Sequence, residues 1–230
     1  MKFDLKKEGK TELNKTRRPA LLTIPSHYYL AITGTGDPNT MNFGDHIAAL
    51  YAIAYPIKMA YKKAPSHDSH YTDYVVPPLC GDWSISEAAI NSESWDKTDF
   101  VYTLRIMIPD FVPLALASKI LTTKQQQTED NLLREVTIVN LPAQEVVQML
   151  HVGPYDEEQI TFDYLTMFLE DQQLQRTSKT HTEIYLSDAR RTAPDRLKTI
   201  LQITVAPKYR PHQRFRQWGL FFAIVVVHYK

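Results

Sequence analysis

A chain of 230 residues, 43% hydrophobic and 23% charged, can bury a sizeable core and fits one large globular domain or two small ones. A single cysteine, Cys80, excludes an internal disulfide; no Cys/His spacing resembles a zinc site, and the Lys- and Glu-rich start excludes a secretory signal. Lys plus Arg and Asp plus Glu balance at 26 each, but residues 1–20 and 206–230 are net basic, so the acidic body between them argues against a nucleic-acid-binding face.

Residues 1–18, ending in Lys15-Thr16-Arg17-Arg18, read as a basic, solvated lead-in arm. Ala20 to Pro25 and His27 to Thr33 form one strand kinked at Pro25 or two short ones. Gly34 to Asn39 is a turn cluster, and it lacks the third glycine of a dinucleotide loop. Phe43 to Tyr61 is predicted helical, because Phe43, Ile47, Leu50, Ala54 and Ile57 recur on one helical face. Asn42 offers an N-cap, and Pro56 should kink or interrupt the helix. His67 and His70 have the look of a metal pair, but their loop supplies no third ligand nearby. Tyr71–Val76, Leu79–Ile85 and Phe100–Ile108 read as strands, with a polar loop or short helix over 86–99. Trp83 suits either the core or a cavity wall. Residues 114–134, with Gln125-Gln126-Gln127, read as a helix or linker between two halves.

The second half repeats the first. Val136–Pro142 parallels Ala20–Pro25, Glu145–His151 parallels His27–Thr33, and the helical stretch Ile160–Glu170 parallels the helix from Phe43. Next comes the strand His181–Asp188. Alternation puts Ile184 and Leu186 on one face and Glu183 and Tyr185 on the other. A mid-strand carboxylate beside a tyrosine either faces solvent or stands in a ligand cleft, since an unpaired buried charge is costly. Leu197–Val205 closes the repeat as a strand or short helix. In the tail, 206–230, a basic stretch precedes the apolar run Trp218–Val227, too short to span a bilayer, which takes about 20 residues. The expected fold is α+β: two strand-helix-strand-strand repeats, about 19–113 and 135–205, related by a pseudo-twofold. They form one antiparallel sheet with helices on one face and a ligand cleft on the other.

The duplicated halves, His151-Val152-Gly153-Pro154-Tyr155, and Glu183-Ile184-Tyr185-Leu186-Ser187-Asp188 followed by Arg190-Arg191-Thr192-Ala193-Pro194 resemble the GyrI-like family. This family includes effector-binding domains of MerR- and AraC-type multidrug regulators. Phe43-Gly44 through Lys58-Met59 resembles its stand-alone branch. The resemblance covers roughly Lys6 to Val205. It implies a cleft for amphipathic, often cationic, aromatic compounds, with Glu183 at its centre, Trp83, Tyr155 and Tyr185 framing it, and His151 among the ligand-binding residues. Some stand-alone members resemble hydrolases that open the cyclopropane ring of DNA-alkylating natural products. Glu183 and Tyr185 would then be the catalytic pair, with burial raising the carboxyl pKa of the base. Other members bind DNA gyrase, so a protein partner is the third alternative. Two departures stand out: Ala189 replaces an expected proline, and Leu79-Cys80-Gly81-Asp82-Trp83 departs from the usual Leu-Glu-Gly-aromatic pattern. No helix-turn-helix region is evident ahead of the repeats, so direct transcriptional regulation is not expected. The expectation is a cytoplasmic protein with no metal, no cofactor and no membrane span, acting on a hydrophobic or cationic small molecule.

Overall fold

The computed structural model describes residues 2–63, 71–92, 94 and 96–208. In chain order its elements are β1 (Lys2–Phe3), α1 (Leu5–Glu8), β2 (Ala20–Ile24), β3 (His27–Thr35), α2 (Met41–Lys63), β4 (Asp73–Tyr74), β5 (Leu79–Ile85), α3 (Glu87–Ile90) and β6 (Phe100–Ile108). Then follow α4 (Leu114–Gln126), α5 (Asn131–Glu135), β7 (Thr137–Leu141), β8 (Gln144–Val152), α6 (Gln159–Asp171), β9 (Leu174–Arg176), β10 (His181–Tyr185) and β11 (Lys198–Pro207).

Nine strands form one antiparallel sheet in the order β2-β8-β11-β10-β5-β6-β3-β7, with β9 on the far end of β11. The short strands β1 and β4 pair separately, in parallel. The α+β class expected from the sequence holds. The order is a palindrome about the β10–β5 seam, compatible with a pseudo-twofold. The two repeats do not simply sit side by side, because each gives its first strand to the other: β2 pairs with β8, and β7 pairs with β3. This exchange ties the halves together at both outer edges as well as at the seam.

Two helices cover one face of the sheet. On α2, Leu50, Ile53, Ala54 and Ile57 are buried against Leu30, Ile32, Leu104 and Ile106 of β3 and β6. On α6, Phe162, Leu165 and Leu169 make the expected stripe and pack on Val147, Met149, Leu201 and Ile203. Each such side chain contributes about 1.5–3 kcal/mol on full burial. That burial outweighs the roughly 3 kcal/mol penalty of Pro56, through which α2 runs unbroken. The helix also begins at Met41, ahead of the Asn42 cap expected from sequence. Residues 114–135 are largely helical; Ala117, Leu121 and Leu133 of α4 and α5 join the α2 core.

The opposite face of the sheet is not the open one. It is covered by residues 2–18, whose Leu5 and Leu13 are buried with Cys80, Met107, Ile184 and Ile200, while Leu186 packs alongside. Asn14 is buried too: its backbone N–H donates to Gln148 Oε1 and its amide to the Gln148 carbonyl, both at 2.8 Å. Around Leu5, Leu13 and Asn14 this segment is therefore a packed strap, while residues 15–18 are exposed, as a solvated arm would be. The strap also corrects the expected placement of the cleft. Ile184 and Leu186 pack under the strap, and Glu183 and Tyr185 share the face that carries the helices. His67, His70 and the apolar run 218–227 lie outside the described residues.

Candidate functional site

The central seam builds the site. Across it His181 is paired with Trp83 and Glu183 with Gly81. Strand alternation turns His181, Glu183, Tyr185 and Trp83 toward the helices, and turns Thr182 and Asp82 toward the strap. Asp82 there accepts hydrogen bonds from Arg105 and from the Thr182 hydroxyl, the latter at 2.6 Å. The polar departure at Asp82 therefore serves the strap side of the sheet and leaves Trp83 in place.

Trp83 donates its indole N–H to the Tyr185 hydroxyl at 2.9 Å. Its ring packs against Phe43 of α2, Phe100 and Tyr102. A Cβ on Gly81 would lie 2.7 Å from Trp83 Nε1 and 3.0 Å from Tyr185 Oη, so only glycine leaves room for this pair. Tyr155 meets Tyr185 edge-on at 6.1 Å and is 39% exposed, forming the outer rim. Burial first, and then the charge of Glu183, push the Tyr155 phenol up to about 12 and Tyr185 well above the ordinary range. Both stay protonated. Because Trp83 donates to the Tyr185 oxygen, the Tyr185 proton remains available to Glu183 or to a bound acceptor.

Glu183 is buried, at 8% exposure, and its Oε1 lies 3.2 Å from His181 Nε2. The His181 ring is held edge-on by Phe162 of α6 at 4.9 Å. No lysine or arginine pairs with Glu183 among the described residues. A second carboxyl, Glu158 at the start of α6, is also buried. Burial, then repulsion by Glu183, raises its pKa well above the carboxylate range. The ligand-capable atoms of Glu158, His181 and Glu183 all lie within 4.8 Å of one another.

Thus the structure brings Glu183, Tyr185, Trp83 and Tyr155 together. His151 is engaged differently. Its Nε2 faces the Pro154 carbonyl at 3.0 Å and its Nδ1 the Thr161 hydroxyl at 2.9 Å. In the neutral ring Nε2 donates, because a carbonyl only accepts, and Thr161 donates to Nδ1. His151 thereby fastens the β8–α6 turn, where Gly153 takes a left-handed φ of 144° that favours glycine. That turn carries Tyr155 to the rim. Sequence reasoning missed Glu158 and His181. His181 could have been found from strand alternation with Glu183. Glu158 sits in the run Asp156-Glu157-Glu158, which looks like ordinary acidic decoration of a helix start.

No helix among the described residues is long and apolar enough to cross a membrane. No curated protein matches the chain. Three solved structures from Listeria innocua are similar. One described as a hydrolase shares 32% identity, covering 89% of this chain and 100% of its own, with a TM-score of 0.74. A second hydrolase shares 33% over 90% and 100%, at 0.75. An uncharacterized conserved protein shares 33% over 89% and 100%, at 0.76. The family model of the GyrI-like small molecule binding domain matches residues 18–206, and the chain belongs to that family.

Proposed function

We propose that this protein binds amphipathic, cationic or aromatic small molecules over Glu183, in a role protecting the cell from drugs or toxins. The observation that carries the reading is a buried carboxylate with no lysine or arginine partner among the described residues, lying beside Tyr185 and near Trp83 and Tyr155. A buried carboxylate without a permanently cationic partner is expensive. A ligand cation would offset it, and each aromatic face would add about 0.5–2 kcal/mol. Titration with ethidium tests this. Wild type should give saturable fluorescence enhancement, and Glu183→Gln should weaken binding at least about tenfold, or 1.4 kcal/mol. Equal affinity in the two proteins would overturn the reading.

A second reading is favoured by the Glu183–Tyr185 juxtaposition and by the hydrolase description of two relatives. Glu183 takes a proton from water, whose oxygen attacks a cyclopropane carbon. The pair from the breaking C–C bond passes into a conjugated carbonyl, and Tyr185 donates to the developing oxyanion. A duocarmycin-type compound should then gain one water by mass spectrometry with wild type and not with Glu183→Gln. If neither binding nor turnover depends on Glu183, a protein partner such as DNA gyrase becomes the better reading.

A further inference from the structure

Glu158 and Glu183 come from different elements and converge in a buried place, where two like charges are costly. Glu158 is 7% exposed, and its Oε1 has no hydrogen-bond partner among the described residues. Buried polar atoms are nearly always satisfied, so an orphan carboxylate oxygen points to something that completes it. The third group supplies a direction. His181 Nε2 stands 3.2 Å from Glu183 Oε1, and the three donors lie within 4.8 Å of one another. Two carboxylates and an imidazole are a donor set that suits zinc and related divalent ions. Ligands around zinc at about 2.0–2.2 Å sit roughly 3.4 Å apart, so side-chain adjustments of about an ångström would close this cluster. The Phe162 ring restrains His181, whose side chain is 22% exposed.

We propose that Glu158, His181 and Glu183 form a binding site for a divalent transition-metal ion, with a remaining coordination position open to water or a cleft ligand. The site rests on this geometry and not on the reading of the cleft as a cation-binding pocket, with which it shares Glu183. A bound ion would neutralise the carboxylates that attract an organic cation, so the two occupants compete.

The test uses the full chain, stripped with a chelator and dialysed, and titrated with zinc alone against a chromogenic competitor. Native mass spectrometry gives the stoichiometry. Wild type should bind one zinc. Glu158→Gln and His181→Ala, checked for folding by circular dichroism, should each lose at least tenfold in affinity. Cobalt(II) should give a d–d absorption spectrum that changes in Glu158→Gln. A His67→Ala/His70→Ala variant, which leaves all three proposed ligands intact, should bind zinc as wild type does. Absence of stoichiometric zinc in wild type, or binding that survives both site variants, would overturn the proposal. Ethidium titration of the metal-free protein, with wild type and Glu183→Gln side by side, is scored separately. Failure of the metal site is thereby distinguished from failure of the ligand-binding reading.

Discussion

Trp83 and Tyr185 face each other across the β5–β10 seam, and the indole N–H donates to the phenol oxygen at 2.9 Å. The bond joins one residue from each half of the molecule on the floor of the candidate site. A double-mutant cycle with Trp83→Phe, Tyr185→Phe and both together should give a coupling of about 0.5–1.5 kcal/mol in urea unfolding. Additive effects would show that the contact contributes nothing beyond packing.

Gly81 makes that contact sterically feasible. In Gly81→Ala the new Cβ would meet Trp83 Nε1 at 2.7 Å within a packed aromatic cluster. The expected cost is about 1–3 kcal/mol of stability, together with weaker ethidium binding. Urea midpoints and dye titration check both, and an unchanged midpoint would mean that the indole moves aside freely.

His27 lies between Glu12 of the strap and Asp110 beyond β6, each at 3.0 Å, with Tyr29 edge-on beside it. The Glu12 hydrogen bond first, and then the Asp110 bond, outweigh desolvation and raise its pKa from 6.5 to about 9. The folded state therefore holds the proton more tightly than the unfolded chain. The resulting stability is fully present below pH 6.5 and is lost as pH rises through about 9. Screening at the exposed Asp110 reduces it to about 1–2 kcal/mol. Unfolding free energies from urea titrations at pH 6 and pH 9.5 should differ by that amount in wild type and much less in His27→Gln.

Asn14 fixes the strap to β8 through two hydrogen bonds with Gln148. Asn14→Ala deletes the side-chain donor and leaves the backbone bond, at a cost of about 1–3 kcal/mol. Leu13→Ala opens a cavity beneath the strap and should cost about 2–4 kcal/mol. Hydrogen exchange should show both changes speeding exchange in β8 and β10 more than in α2. Uniform acceleration would mean that the strap and the α2 core unfold as one unit.

The sequence carried the local periodicities. Alternation along 181–185 placed Glu183 and Tyr185 on one face, the 162–165–169 stripe marked α6, and motifs such as His151–Tyr155 carried the family. What it could not carry was the identity of whatever covers each face. Alternation says which side chains point together, but the α2 stripe and the strap residues Leu5 and Leu13 are both apolar, and either could have covered Ile184. Only tertiary packing decided that the strap takes that face and the helices share the other with Glu183. The exchange of β2 and β7 between halves was equally hidden, because hydrogen-bonded pairing leaves no mark on either strand's own pattern. The meeting of Glu158 with His181 and Glu183 was hidden for the same reason: α6 and β10 are distant in the chain, and their approach depends on α6 docking on β8 and β11 rather than on any spacing within the sequence.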